Sequence, residues 1–379
     1  MMNNSEPKMS SYLHSLAIKK GIPVSGSFEL TPNCNFSCPM CYVHSARPCG
    51  EELTAKQWLL LAEEAKAAGM MFLLLTGGEP FIKKDFEQIY TGLSKMGFVI
   101  SINTNGSLVT ENAELLKKYP PSRVNVSLYA ADRQAYKDFC GVDKFDSVVN
   151  GIEFLKKEGI GVRLNSVFTA KNHMYAPQII DFAKEHDLHL KSTSYCYPQI
   201  RVGGSVGLNS ARLDADLAAQ CEVDAEYRKF GDAYAAKALG LQREMGDGDA
   251  REYRRVRCRA GRCSFWLTWN GKMRPCGMMT RPEADPFKSG FAAAWNEILK
   301  MTAEIRLPLE CSVCKRREAC PVCAAMCLSE TGRFDGKPQY VCDYFECVRS
   351  LSSEKLEEIK CKIGDLPTLA EKGDDLCEY

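Results

Sequence analysis

Nowhere does this sequence hold an apolar run long enough to cross a bilayer, and the stretch Met1–Val24 lacks the apolar core of a secretory signal. A membrane-spanning or exported chain is therefore not expected, and the cytoplasm is the expected location. Charge of one sign is not in excess either, because 49 basic side chains meet 48 acidic ones and leave a net charge of +1. That balance supplies no global field for nucleic acid or a membrane surface, so neither is expected as a partner. Internal repeats and low-complexity tracts are absent. The five histidines are scattered, and even His44, near the first cysteines, is expected to play a structural or solvent role rather than to ligate a metal.

What the sequence has in quantity is cysteine, 19 residues in 379. Without an export signal these read as metal or cluster ligands rather than disulfides. Their distribution agrees: seven lie in residues 1–257, ten crowd into 258–347, and only Cys361 and Cys377 follow. Cys34, Cys38 and Cys41 form a C-x3-C-x2-C triplet. Three thiolates are one short of a closed tetrahedral zinc site. An iron–sulfur cluster held by three thiolates keeps one iron free to bind something else.

Strand-like and helix-like runs alternate from Ser25 to Tyr197. Strands are predicted at 27–30, 71–75, 98–103, 123–129, 161–168 and 189–195. Between them lie helices at 54–68, 84–96, about 111–118, a helical stretch to Lys157, and 175–186. Thr54 with Gln57 three residues on reads as a capping box, and Gly69 as a stop. Six such units imply a parallel sheet with right-handed crossovers. The triplet, Thr76-Gly77-Gly78-Glu79-Pro80 and Asn103-Thr104-Asn105-Gly106 all fall at the C-terminal ends of predicted strands, where parallel α/β folds place their active sites.

The triplet, followed about 35 residues later by Gly-Gly-Glu-Pro after an apolar strand, resembles the radical S-adenosylmethionine (SAM) superfamily. The resemblance covers roughly residues 25–197. It implies a partial (β/α)6 TIM-like barrel and a 4Fe–4S cluster on Cys34, Cys38 and Cys41. It also implies SAM chelating the fourth iron, and a one-electron reductant such as a flavodoxin or ferredoxin. Gly77, Gly78, Glu79 and Pro80, then Thr104, Asn105, Ser127 and Asn165, fall where relatives contact SAM. Arg163 points the same way and could hold a carboxylate. One departure is Met40, where the family usually carries an aromatic residue before the third cysteine.

The later cysteines look like the SPASM extension of peptide- and protein-modifying relatives, a loop-rich C-terminal domain with two auxiliary 4Fe–4S clusters. By resemblance, Cys258, Cys263 and Cys276 serve one cluster, with Cys327 or Cys323 as the fourth ligand. Cys311, Cys314 and Cys320 serve the other, with Cys342 or Cys347. The spacing after Cys320 departs from the family's x3, which leaves both fourth ligands open. The expected organisation is an extension (1–24), the barrel (25–197), a helical bridge (198–257), the SPASM domain (258–350) and a C-terminal helix with a tail (351–379).

Function follows as an expectation: a SAM-dependent radical enzyme acting on a peptide, most simply a ribosomally made precursor. Fewer than 30 residues precede the first predicted strand, so a separate partner could hold a leader segment. Radical chemistry on a small molecule is the alternative. Formylglycine formation ranks lower, because Gly277 follows Cys276 where sulfatase maturases have Asp. Zinc binding in a non-catalytic scaffold is the reading from another class. Cys49, Cys140, Cys196, Cys221, Cys361 and Cys377 have no motif partner and are expected to act as small apolar residues, with Cys196 the one placed to approach substrate. Arg251, Arg254, Arg255, Arg257, Arg259 and Arg262 read as a solvated face, or as a dock for an acidic peptide.

Overall fold

The computed structural model describes residues 8–43, 50–244 and 250–363; His44, Cys49 and Cys377 lie outside them. Six parallel strands follow the predicted order: β1 (Ser25–Glu29), β2 (Phe72–Thr76), β3 (Val99–Thr104), β4 (Arg123–Ser127), β5 (Val162–Val167) and β6 (His189–Thr193). Two further strands, β7 (Ser264–Leu267) and β8 (Met273–Arg274), come from the C-terminal region. All eight make one sheet in the order β6-β5-β4-β3-β2-β1-β7-β8. Every neighbouring pair is parallel except β7 with β8.

The β7–β8 hairpin was not foreseen. It follows directly on Cys263, and β7 continues the barrel sheet beyond β1, with Ser25 opposite Ser264 and Phe28 opposite Leu267. Its turn carries Asn270-Gly271, the sequence signal of a tight hairpin. Gly271 takes a φ of 81° and donates its N–H to the Thr268 carbonyl at 2.8 Å.

Helices cover one face of the sheet. The capping box at Thr54 is present: the Gln57 N–H reaches Thr54 Oγ1 at 3.4 Å, and the Thr54 N–H reaches Gln57 Oε1 at 2.9 Å. The helix that follows, Ala55–Ala67, buries Trp58, Leu61, Ala62 and Ala65. Phe86–Lys95 buries Phe86, Ile89, Tyr90 and Leu93, the i, i+3, i+4, i+7 stripe of an amphipathic helix. Under them lie Ile100, Ile102, Val124, Val126, Leu164 and Leu190, all buried. Because side chains alternate along a strand, the other face carries Ser101, Asn103, Arg123, Asn125, Ser127, Arg163, Asn165, His189 and Lys191. That concave face is polar.

Helices Ala215–Phe230 and Tyr234–Leu241 occupy much of the expected bridge. Both pack against a 25-residue helix, Gln339–Ile363, which carries Cys342 and Cys347 and runs through Leu351, where a domain boundary was expected. No helix among the described residues is long and apolar enough to cross a membrane.

One buried ion pair ties these parts together. Arg201, just beyond β6, donates from Nη2 to both Glu29 carboxylate oxygens at 2.9 Å, and from Nη1 to the Gly277 carbonyl at 2.8 Å. Trp266 Nε1 also donates to Glu29, at 2.8 Å. The Glu29 side chain is fully buried and that of Arg201 is 8% exposed. Removing one partner of such a pair strands a buried charge, so Arg201→Met is expected to cost about 3–5 kcal/mol in urea unfolding. The double variant Glu29→Gln/Arg201→Met should be more stable than Arg201→Met alone.

Candidate active site

The loops at the C-terminal ends of β1, β2 and β3 are bonded to one another. After β2 the chain turns back on the cysteine loop: the Gly78 N–H donates to the Thr31 carbonyl at 2.8 Å, and the Glu79 N–H to the Asn33 carbonyl at 2.9 Å. A Cβ at Gly78 would lie 2.1 Å from the Asn33 carbonyl oxygen, and one at Gly77 would lie 2.6 Å from that of Thr31. The two glycines therefore allow backbone to pack on backbone. The triplet loop is held from its other side by Gln199, whose Nε2 donates to the Pro39 carbonyl at 3.1 Å and the Cys41 carbonyl at 2.9 Å.

Glu79 links this pair of loops to β3. Its carboxylate is buried and accepts bonds from Thr104 Oγ1 at 2.9 Å, the Asn105 N–H at 2.7 Å and the Phe81 N–H at 3.2 Å. Burial pushes its pKa up to about 7, against the pull of the Asn105 and Phe81 N–H groups and the Thr104 hydroxyl. Pro80 follows at the start of a short 3₁₀ turn, Pro80–Ile82. Asn105 then reaches across to the cysteine loop. Its Nδ2 donates to Asn35 Oδ1 at 2.7 Å and lies 3.9 Å from Cys34 Sγ.

The three triplet cysteines are partly buried. Cys34 accepts the Phe36 N–H at 3.4 Å, a bond that suits a thiolate bound to iron. Without iron its pKa is pushed up to about 12, first by burial and then, after the opposing Phe36 bond, by the charges of Glu79, Cys38 and Cys41. Met40 is buried. Ser127, which ends β4, is the register partner of Asn165 on β5. Cys140, expected to be a small apolar filler, is buried as a free thiol that shares a hydrogen bond with the free thiol of Cys38. That contact is the leading cause of a pKa at Cys38 well above the usual thiol value, with burial second. The last residue of helix Arg133–Cys140, it also accepts the Ser37 N–H on its carbonyl at 3.1 Å. No spacing motif links residue 140 to the triplet, so only the fold reveals this neighbour.

The later cysteines fall into two electrostatic groups. Cys323 raises the pKa of both Cys258 and Cys276, after burial, and Cys258 also acts on Cys276. Cys276 accepts the Met278 N–H at 3.4 Å. In the second group, Cys342 and Cys314 act on Cys311, Cys342 and Cys311 act on Cys320, and Cys314 acts on Cys342. Cys327 is fully buried one helical turn beyond Cys323 and feels Cys311, Cys323 and Cys320. Cys263 is fully buried at the N-terminal end of β7, packed with Ala17 and Val24, and its carbonyl accepts the Ser25 N–H at 3.1 Å. Cys347 instead meets Asp216, at 3.1 Å.

Among the described residues no three His, Cys, Asp or Glu side chains converge on one point. Four-coordinate zinc, with bonds of ~2.3 Å, would draw its sulfurs to within roughly 3.8 Å of one another. A cluster binds each thiolate to a different iron. Of the unpartnered cysteines, Cys196 is buried with Sγ 3.2 Å from Asn209 Nδ2, Cys221 is buried, and Cys361 is exposed. In the arginine series, Arg254 donates to the Leu307 carbonyl, Arg262 donates to the Arg257 carbonyl, and Arg257 faces Glu318 at 3.7 Å.

Comparison with known proteins places this geometry. Residues 28–181 match the radical SAM superfamily. Probable GTP 3',8-cyclases of Sulfurisphaera tokodaii and Saccharolobus solfataricus are 38% and 34% identical over 166 residues, 42% of this chain and 53% and 54% of theirs. The chain thus spans about half the length of these curated relatives. The solved structure of Streptococcus suis SuiB bound to S-adenosylmethionine matches with a TM-score of 0.64 at 18% identity, over 90% of this chain and 83% of SuiB. That of anSMEcpe with bound AdoMet and Cp18Cys peptide matches with 0.66 at 16% identity, over 89% of this chain and 99% of the other. Both likenesses are of fold, and both extend through the C-terminal region.

Gly78→Ala tests the loop packing. The new methyl must displace the Asn33 carbonyl, so stability should fall by about 1–3 kcal/mol and iron bound after reconstitution should fall with it. Gly240→Ala, at a position with open space around it, should leave both unchanged.

Proposed function

We propose, for a chain whose residues 28–181 make it a member of the radical SAM superfamily, that its substrate is a peptide modified by hydrogen abstraction. Cys34, Cys38 and Cys41 would hold the SAM-binding 4Fe–4S cluster. Bound together, cluster and SAM supply the one-electron cleavage that yields a 5′-deoxyadenosyl radical. The rest falls to the protein. Asn105 and the Phe36 N–H donate toward Cys34, and Gln199 fixes the loop behind Cys38 and Cys41. Glu79 spends its oxygens on Thr104, Asn105 and Phe81. Its role is to set the shape of the Gly77–Gly78 segment, whose carbonyls remain for the SAM ammonium group. Ser127 and Asn165 face the concave side, where SAM and substrate would meet.

The observation that carries the peptide reading is the C-terminal cysteine block. It divides into Cys258, Cys276 and Cys323 on one side and Cys311, Cys314, Cys320 and Cys342 on the other. We assign these groups to two auxiliary clusters, with Cys323 in place of Cys327. Cys263 sits at the opposite end of β7 from the loops of the site, which leaves it a packing role. Products such as a crosslink, an epimerised centre or an oxidised residue all fit. Formylglycine formation ranks lower on structural grounds as well: a Cβ at Gly277 would lie 2.8 Å from the Trp266 ring, so the position following Cys276 has no room for a carboxylate. A small-molecule substrate is the second reading, favoured by the probable GTP 3',8-cyclases that share the N-terminal half.

The test is anaerobic incubation of reduced, reconstituted protein with SAM and the peptide encoded beside it, with GTP as a parallel substrate. A peptide mass change alongside deoxyadenosine supports the first reading. Conversion of GTP without any peptide supports the second. Cys34→Ala, Cys38→Ala or Cys41→Ala should each abolish deoxyadenosine formation. Cys323→Ala should lose about a third of the bound iron, one cluster of three, while Cys327→Ala should keep it.

A further inference from the structure

We propose that the floor of the concave sheet face is an anion site that seats a carboxylate or phosphate of the substrate. Arg123 opens β4, Arg163 lies on β5, and His189 and Lys191 lie on β6. The parallel register aligns them: Arg163 is opposite Asn125 on one side and His189 on the other, and Lys191 is opposite Asn165. All four share the face that the helices leave uncovered, and adjacent strands are only about 4.8 Å apart.

The charges of this group are uncompensated. Arg163 is held below the usual guanidinium range by burial and then by Arg123. Lys191, itself exposed on the edge strand β6, is lowered by partial desolvation, then by Arg163 and Arg123. His189 is pushed down to about 4 by burial, then by Arg163, Lys229, Lys191 and Arg123. No acid is among the leading causes of any of these shifts. Arg123 Nε, a donor, and His189 Nδ1, a donor in one tautomer, are buried without a hydrogen-bond partner, as is Asn125 Oδ1 on β4. Among the described residues several other buried cations have an acid beside them, although Arg317, 3% exposed, does not. Arg201 has Glu29, Arg212 has Glu330, Lys229 has Glu226, and Lys83 has Glu52 and Asp85.

Like charges gathered with unused donors in a half-buried hollow cost stability and are understandable if an oxyanion completes them. Arginine suits this, because its fork matches carboxylate and phosphate alike. The position adds a function. Arg163 and Arg123 lie two and four residues before Asn165 on β5 and Ser127 at the end of β4, roughly 7–13 Å below them at about 3.3 Å per residue. An anion seated on the floor would orient the attached carbon chain toward those strand ends. The inference rests on the concave face being the active-site lumen of a radical SAM enzyme, and not on the substrate being a peptide.

The probes are acetyl-Ala-Glu-Ala-amide, acetyl-Ala-Gln-Ala-amide and GTP. Each is titrated calorimetrically into the full-length reconstituted protein, as wild type, Arg163→Gln and Arg123→Gln, at two salt concentrations. One anionic probe should bind wild type at least about tenfold more tightly than either variant, the loss expected for a charged hydrogen bond, and more weakly at high salt. The Glu peptide exceeding the Gln peptide identifies a carboxylate. GTP alone binding identifies a phosphate, and leaves the anion site standing while the peptide reading falls. In probe-free buffer both variants should unfold at equal or higher temperature than wild type, because each removes an unpaired charge. Equal binding of every probe by wild type and variants, or no binding, would falsify the proposal, as would a fall in melting temperature in both variants, which would make the arginines structural.

Discussion

A carboxylate buried without a cation is the constraint on which the active-site end of this protein depends. Among the described residues Glu79 has no basic partner, and the bonds it accepts come from a hydroxyl and backbone N–H groups. Thr104, Asn105 and Phe81 supply them. Leaving such a group unsatisfied costs about 1–3 kcal/mol or more, so the loop after β3 is pinned wherever Glu79 goes. Glu79 is itself pinned, because its N–H and that of Gly78 bond the carbonyls that lead into the cysteine triplet. Asn105 closes the circuit by reaching Asn35 and Cys34. Three loops from three strands thus share one polar network, in which satisfying any member places the others.

A second junction joins that end of the barrel to the C-terminal region. Gln199 and Arg201 stand two residues apart in the segment that leaves β6. Gln199 holds the carbonyls of Pro39 and Cys41, while Arg201 spans Glu29 and the Gly277 carbonyl just after Cys276. The Arg201 guanidinium also lies 5.6 Å from the centre of the Tyr42 ring. Both cysteine regions are therefore referred to one short stretch of chain, and to the β1–β7 pairing beneath it. The C-terminal cysteines are fixed relative to the triplet by buried polar contacts as well as by apolar packing.

Much of this was legible in the sequence, because local chemistry and period carry it. The six strands, the Thr54–Gln57 capping box and the strand-end position of all three loops follow from alternation, caps and turn residues. What escaped is non-local. The Phe265-Trp266-Leu267 run becomes a strand because β1 offers it an edge, and Asn270-Gly271 was a usable hairpin signal. The packing of Gly77 and Gly78 on the backbone at Thr31 and Asn33 is a contact between loops far apart in sequence. Cys140 meets Cys38 because a helix ends there, a fact that no spacing encodes. The cations of the concave face come from three strands, and each taken alone is an ordinary polar residue on an alternating strand.

That last group shows why the two faces of the sheet must be read separately. Burial under the helices selects Val124, Val126, Leu164 and Leu190 by size and apolarity, and any such sheet needs residues of this kind. The concave face meets no helix, so packing does not require Arg123, Arg163 or Lys191 there. Their mutual repulsion opposes the fold, and the structure offers no acid in return. Ser127 at the end of β4 and Asn165 on β5 are neutral, and Glu79 is turned inward to its own donors. The cations of this face are Arg123 and Arg163 toward the floor and Lys191 at the level of Asn165. A substrate entering the hollow is sorted by where its negative charge lies, before any bond is broken.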